Sequence, residues 1–145
     1  MRIYLDNCSF NRPFDDQSQI RVRMEAEAKL FIQDQVQGGH MELAWSYILD
    51  YENSANPFSE RRTAIAGWKR HAVHDVHESE IVMKMAEEIH QARGLSSMDA
   101  LHVACAIEAC CDYYITTDDG LIRKMSGADR LNVLDPTAFI REVKR

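Results

Sequence analysis

SSMDALHVACAIEACCDYYITTDDGLIRK, residues 96–124, contains the succession of elements that decides the fold. The apolar residues from Ala100 to Ile107 lie on almost every side of a predicted helix, so we expect that helix to be buried. Residues 113–116 then predict a short buried strand, and residues 120–124 predict a short helix. A buried helix that leads into a buried strand and then into another helix is typical of α/β proteins, whose helices cover both faces of a parallel sheet.

The remainder of the chain repeats this alternation. Three further strands are predicted, at residues 2–5, 41–45 and 131–134. The longest predicted helix covers residues 20–36, and its apolar face is formed by Ile20, Met24, Ala28, Phe31, Ile32 and Val36. Residues 7–18 predict a loop, and the polar residues 71–78 fit no element. The prediction is a single domain, residues 1–145, with a three-layer α/β/α fold and a mostly parallel sheet of about four to five strands.

The composition limits the classes of function. The formal net charge of −6 argues against nucleic-acid binding driven by bulk charge. It is compatible with a nuclease, because clustered acids lower the total and bound divalent cations reverse the local sign. No apolar run approaches the roughly 18 residues of a membrane-spanning helix, and the chain begins with a strand-like segment rather than a leader. We therefore expect a cytoplasmic protein without a membrane association.

Four acidic residues stand where an α/β sheet places its functional site. Asp6 and Asp118 follow predicted strands, whereas Glu52 and Asp99 lie in predicted helices. Each has an ordinary structural alternative: Asp6 as a turn residue, Glu52 on a solvated helix face, Asp99 in a capping box with Ser96, and Asp118 as a helix N-cap. Ligand sites of open α/β sheets lie beyond the carboxyl ends of the strands, and clustered carboxylates suit Mg²⁺ and Mn²⁺. Together the four acids predict an acidic metal site.

Three stretches of the sequence resemble the PIN-domain ribonucleases, in particular the toxin-type members of bacterial toxin–antitoxin pairs. They are Leu5-Asp6-Asn7, Asp99-Ala100-Leu101-His102-Val103-Ala104, and Ile115-Thr116-Thr117-Asp118 followed by Leu121. A further acid of the family is matched by Glu52, with Asp50 as the alternative on another face of the same helix. The resemblance spans nearly the whole chain, although residues 11–36 are longer and more polar than in a minimal toxin.

The resemblance implies an activity and a set of site residues. Similar proteins hydrolyse the RNA backbone with Mg²⁺ or Mn²⁺, which implies catalytic roles for Asp6, Glu52, Asp99 and Asp118, with the metal held by Asp6, Asp99 and Asp118. Similar proteins are usually homodimers restrained by a small protein antitoxin. Hydrogen-bonding or substrate-binding roles around the acids are expected for Asn7, Ser9, Arg12, Thr116, Asp119 and Arg123. We expect His102 to be a hydrogen-bonded structural residue rather than a general base.

Two other classes of function stay open at the level of the sequence. A PIN-like scaffold or RNA-binding module without activity would tend to lose acids, whereas this chain has a candidate at all four positions. An aspartate-based phosphoacceptor or phosphatase domain also collects acids at strand ends. It is disfavoured because Asn7 and Cys8, rather than a second aspartate, follow Asp6.

Overall fold

One parallel sheet organises the computed structural model, which describes residues 1–144. Its strands are β1 (Arg2–Leu5), β2 (Glu42–Ser46), β3 (Ala72–Val76), β4 (Tyr113–Ile115) and β5 (Asn132–Leu134). The strands lie in the order β3-β2-β1-β4-β5, and every neighbouring pair is parallel. β1 is therefore the central strand, and the predicted sheet of four to five parallel strands is confirmed.

Helices connect the strands and form the two outer layers. They are α1 (Asn7–Asn11), α2 (Ile20–Gln37), α3 (Tyr47–Ser54), α4 (Ser59–Ala66), α5 (Glu80–Arg93), α6 (Ser97–Glu108), α7 (Asp119–Lys124) and α8 (Pro136–Val143). Short 3-10 helices cover Arg12–Phe14 and Gly67–His71. In the outer layers, α5 packs against α6, and α2 packs against α8. Within residues 1–144, no helix combines the length and apolar character needed to cross a bilayer.

The core consists of the three central strands and the helix that the sequence predicts to be buried. All side chains of β1 after Arg2 are buried, as are residues 43–45 of β2 and residues 114 and 115 of β4. Both faces of these strands are covered, so their sequences are continuous apolar runs without alternation. On α6, the side chains of residues 100 and 102–106 are all buried. The prediction for this helix is confirmed.

Two polar segments differ from what the sequence indicates, one predicted as a loop and one left unassigned. The predicted loop at 7–18 contains α1 and a 3-10 turn, because the Asp6 carboxylate accepts a hydrogen bond from the Ser9 N–H and caps α1. The unassigned residues 71–78 contain β3. This strand lies at an edge of the sheet, where exposed polar side chains such as His74 are tolerated because only one side pairs with another strand.

The buried face of α2 also differs from the prediction. Ile20 and Met24 are 66% and 54% exposed, although Ala28, Ile32 and Val36 of the predicted face are buried. The following polar residues are buried in their place: Glu25, Lys29 and Gln33. The first two have partners that explain their burial, because arginine neutralises the glutamate and aromatic rings cover the lysine ammonium.

Candidate active site

A cavity of about 170 Å³ opens at the carboxyl ends of β1 and β4. We call it the acidic cavity. Its lining consists of Asp6, Asn7, Cys8, Glu52, Asp99, His102 and Asp118. All four acids that the sequence analysis selected therefore meet here, although they come from four separate segments of the chain.

Asp6 is fixed by the junction between β1 and α1. Its N–H donates to the Ile115 carbonyl at 3.3 Å, which ties it to β4. Its Oδ1 accepts from the Ser9 N–H at 3.1 Å and from the Cys8 thiol at 3.0 Å. Burial raises the pKa of the Asp6 carboxyl, and hydrogen bonds from Cys8 and Thr116 oppose part of that rise. The ionised carboxylate is thus held firmly in a place where its charge is poorly solvated.

Asp99 and Asp118 both lie at helix starts. The Asp99 N–H donates to Ser96 Oγ at 3.1 Å, so Ser96 caps α6 and the Asp99 side chain reaches the cavity from the first turn. Asp118 is the N-cap of α7 and accepts from the Leu121 N–H at 3.2 Å. Burial raises the pKa of the Asp99 carboxyl, and the negative charges of Asp118 and Glu52 raise it further.

Glu52 reaches the cavity from α3 and is held there by His102. His102 Nε2 hydrogen-bonds Glu52 Oε1, and His102 Nδ1 lies 2.6 Å from the Tyr4 hydroxyl. The alternative acid, Asp50, does not line the cavity. Its two carboxylate oxygens accept from Trp45 Nε1 at 2.9 Å and from Lys69 Nζ at 3.0 Å. Of the two candidates on α3, the structure brings Glu52 to the other acids.

Three of the predicted surrounding residues lie beside Asp6. Asn7 lines the cavity, and its Oδ1 is a buried oxygen without a hydrogen-bond partner among the described residues. The Ser9 hydroxyl donates to the Ile115 carbonyl at 3.0 Å and thereby holds α1 against β4. Thr116 Oγ1 lies 3.4 Å from Cys8 Sγ and accepts from the Asp118 N–H at 3.1 Å.

The other three predicted residues do not line the cavity. Arg12 donates to Glu25 at 3.0 Å and to Asp15 at 3.3 Å, so its charge is already neutralised. Asp119 accepts two hydrogen bonds from Arg21, at 2.6 and 2.7 Å. Arg123 lies on α7 outside the cavity lining. Proximity in sequence to a site acid was the reason for selecting these residues, and it does not fix the direction of a side chain.

Cys8, Tyr4 and Ser46 are functional-site residues that no sequence motif singles out. Cys8 donates to Asp6, and burial beside that carboxylate raises the pKa of its thiol to about 12. It is therefore a neutral hydrogen-bond donor rather than a thiolate. The Tyr4 hydroxyl contacts His102 Nδ1, and the Ser46 hydroxyl contacts that of Tyr4. The position of Tyr4 two residues before Asp6 in a buried strand was the one sequence signal that pointed to this side of the site.

The donor set of the acidic cavity fits a hard divalent cation. No three His, Cys, Asp or Glu side chains within residues 1–144 stand in an arrangement that would hold a metal ion as they are. Asp6 and Asp118 are turned toward the backbone N–H groups that they cap, and Glu52 is turned toward His102. The carboxylate oxygens and the unpartnered Asn7 Oδ1 are nevertheless ligands that Mg²⁺ and Mn²⁺ prefer. A cation would also offset the neighbouring negative charges and the lost solvation that raise the pKa of Asp99.

Two solved structures have the same fold as this chain. PAE2754 from Pyrobaculum aerophilum is 14% identical, with a TM-score of 0.56 over 100% of this chain and 97% of that chain. VapBC2 from Rickettsia felis, solved bound to a DNA fragment from their promoter, is 13% identical, with a TM-score of 0.56 over 92% of this chain and 97% of that chain. A likeness at this identity establishes the fold, and it confirms the predicted PIN-like architecture. Neither a scan against protein-family models nor a search of curated proteins gave a match.

Proposed function

We propose that the protein is a Mg²⁺- or Mn²⁺-dependent endoribonuclease and the toxin of a toxin–antitoxin pair. The observation that carries the proposal is the meeting of four acids in one cavity without a basic counter-charge. Within residues 1–144, no lysine or arginine forms an ion pair with Asp6, Glu52, Asp99 or Asp118. Uncompensated carboxylates in a partly buried site destabilise the fold, so their presence favours a functional role.

In this proposal, some residues of the cavity hold a cation and others orient the reactants. Asp6, Asp99 and Asp118 would bind the cation, which supplies a water of lowered pKa and positive charge beside the phosphate. Cys8 and the Ser9 N–H hold the Asp6 carboxylate from behind. Glu52 would complete the site directly or through a water, with its orientation set by His102.

An RNA backbone is the substrate that we propose for this cavity. A chain with a net charge of −6 repels phosphates unless a cation is bound, which ties substrate binding to the metal. A phosphate contact from the protein is also required. Arg12 is held by Glu25 and Asp15, so Arg123, on the helix that Asp118 caps, is the better candidate. The contact predicts RNA binding that weakens as salt rises.

The proposal of a toxin rests on two independent likenesses. The sequence resembles the toxin-type PIN ribonucleases in the segments that carry Asp6, Asp99 and Asp118. The fold is similar to that of VapBC2, which supports a protein antitoxin as partner. A cytoplasmic homodimer restrained by such a partner is the form in which we expect the enzyme to occur.

Two neighbouring aspartates at the start of α7, the N-cap Asp118 and the first helical residue Asp119, provide the test. Purified wild-type protein, Asp118→Asn and Asp119→Asn are incubated with end-labelled RNA and Mn²⁺ or Mg²⁺, with an EDTA control for each. We expect Asp118→Asn to lose cleavage by at least about 100-fold, and Asp119→Asn to remain within about threefold of wild type, because only Asp118 lines the cavity. Equal activity of the two variants, or cleavage that persists in EDTA, would contradict the proposal. RNA binding without cleavage by the wild type would instead support the scaffold alternative.

A further inference from the structure

Four side chains form a continuous chain of hydrogen bonds that leads from the protein interior to the acidic cavity. Ser46 Oγ lies 2.7 Å from the Tyr4 hydroxyl, which lies 2.6 Å from His102 Nδ1, and His102 Nε2 contacts Glu52. Tyr4 and Ser46 are fully buried, and His102 is 2% exposed. The chain connects β1, the end of β2 and α6 to an acid on α3. Buried polar groups in such an arrangement are stable only when each is satisfied.

We propose that Ser46, Tyr4 and His102 are positioning residues that hold the Glu52 carboxylate in the acidic cavity through a hydrogen-bond chain of one fixed direction. The inference rests on the proposed function, since it assigns a purpose to the orientation of Glu52. Tyr4 and Ser46 do not line the cavity, so they would act only through His102.

The direction of the chain follows from its Glu52 end and is compatible with its Ser46 end. At one end, the Leu49 N–H can only donate, so Ser46 Oγ accepts from it at 3.2 Å and has its own hydrogen free for Tyr4. The Tyr4 hydroxyl then donates to His102 Nδ1. At the other end, an ionised carboxylate can only accept, which requires the proton of the imidazole to lie on Nε2. The Glu52 end therefore fixes the order, and the Ser46 end permits it, because a serine hydroxyl can accept from the Leu49 N–H and still donate to Tyr4.

The chain also connects Glu52 to the start of its own helix. Ser46 is the N-cap of α3, and Glu52 lies on the same helix. The Ser46 hydroxyl thus caps α3 and, through Tyr4, orients His102. His102 in turn holds Glu52, which lies further along the same helix. A glutamate has three rotatable side-chain bonds, so without this contact its carboxylate would sample several positions at the cavity.

A second buried tyrosine provides a matched control. Tyr114 stacks on Tyr4 with ring centroids 5.2 Å apart, and both rings are fully buried. Within the described residues, the Tyr114 hydroxyl has no hydrogen-bond partner. Removing the hydroxyl of Tyr4 breaks the chain, whereas removing that of Tyr114 deletes an unsatisfied group and nothing else.

The kinetic test compares Tyr4→Phe with Tyr114→Phe. We expect Tyr4→Phe to lower the kcat of metal-dependent RNA cleavage by about 10-fold with KM nearly unchanged, since partners behind a functional side chain contribute about 10–100-fold. Tyr114→Phe should stay within about twofold of wild type. His102→Gln, which retains an N–H donor toward Glu52, should be more active than His102→Leu. Equal kcat values for the two tyrosine variants would overturn the inference.

A spectroscopic test decides the same point without activity. In ¹⁵N-histidine-labelled wild type and Tyr114→Phe, NMR should show His102 as the Nε2–H tautomer with the same Nδ1 shift, and in Tyr4→Phe the Nδ1 resonance should move, because that nitrogen loses its hydrogen-bond donor. The labelled Glu52 carboxyl carbon should shift in Tyr4→Phe alone. An Nδ1–H tautomer in the wild type, or identical spectra for the two variants, would overturn the chain. A wild type that does not cleave RNA would overturn the proposed function, and the NMR result would still decide the inference.

Discussion

The acids of the acidic cavity and the acids of the surface beside it differ in whether arginine side chains neutralise them. Next to the cavity lies an arginine network, formed by Arg12, Arg21 and Arg61 with Asp15, Glu25 and Asp119. Every acid of the network accepts from at least one arginine, including Glu25, which is 2% exposed. Within residues 1–144, no lysine or arginine pairs with the acids of the cavity.

The two groups of acids therefore differ in their counter-charges, since arginines neutralise the network and neither lysine nor arginine pairs with the described acids of the cavity. Arg12 stands within a few residues of Cys8 in sequence, yet it turns to Asp15 and Glu25 instead of the cavity. In the cavity, burial leaves Asp6 and Asp99 with raised pKa values. These raised pKa values support the proposal that Mg²⁺ or Mn²⁺ supplies the missing positive charge.

The largest expected effect comes from bringing an arginine into the cavity. Asn7→Arg places a guanidinium beside the four acids, so it should compete with the divalent cation and lower RNA cleavage by at least about 100-fold. It should also raise the melting temperature in EDTA. The control is Thr63→Arg, which adds the same charge at an exposed site on α4. Undiminished cleavage by Asn7→Arg would show that cleavage does not depend on the unpaired negative charge of the cavity.

Breaking the arginine network should affect stability and leave the chemistry intact. Arg12→Met leaves the buried Glu25 with only the longer 3.4 Å contact to Arg21, so we expect a loss of about 2 kcal/mol in the free energy of unfolding. Urea denaturation measures the loss. The double variant Arg12→Met/Glu25→Met should recover most of it, because no buried charge then lacks a partner. A single variant as stable as wild type would contradict the assigned role of the network.

Lys29 is a buried positive charge on the network side, and it makes stability depend on pH. Its ammonium lies 4.9 Å from the Phe10 ring and 5.7 Å from the Trp68 ring, and burial lowers its pKa to about 7. Between that value and its ordinary pKa, the unfolded chain binds the proton and the folded chain does not. The free energy of unfolding should therefore rise by about 1.4 kcal/mol per pH unit above pH 7, apart from other titrating groups. Lys29→Met should remove that slope, and an unchanged slope would refute the assignment.

The smallest expected effect is a gain in stability within the cavity. Because burial and neighbouring acids raise the pKa of Asp99, Asp99→Asn should stabilise the metal-free fold at neutral pH. The gain should shrink as pH falls and the wild-type carboxyl takes up its proton. Urea denaturation in EDTA tests both statements. Asp119→Asn, which loses an exposed ion pair, should show no such gain.

The sequence predicted the acids of the site because their positions depend on simple regularities. Asp6 and Asp118 follow buried strands, and parallel strands end at the same edge of a sheet. Asp99 lies in the first turn of α6, and the apolar side chains of that helix fix the position of the helix in the core. The arginine network escaped prediction because its partners lie far apart along the chain, as Arg21 and Asp119 do. Asp118 and Asp119 show the limit most clearly: adjacent residues at a helix start face different neighbours, and no pattern of residue types encodes that divergence.

The most direct test of whether the acidic cavity binds a divalent cation is Mn²⁺ titration by isothermal calorimetry. The titration compares wild type, Asp99→Asn and Asp119→Asn in metal-free buffer. We predict that wild type and Asp119→Asn bind Mn²⁺ with the same affinity and that Asp99→Asn binds it at least about 10-fold more weakly. Equal affinity for all three proteins, or no binding by the wild type, would contradict the account.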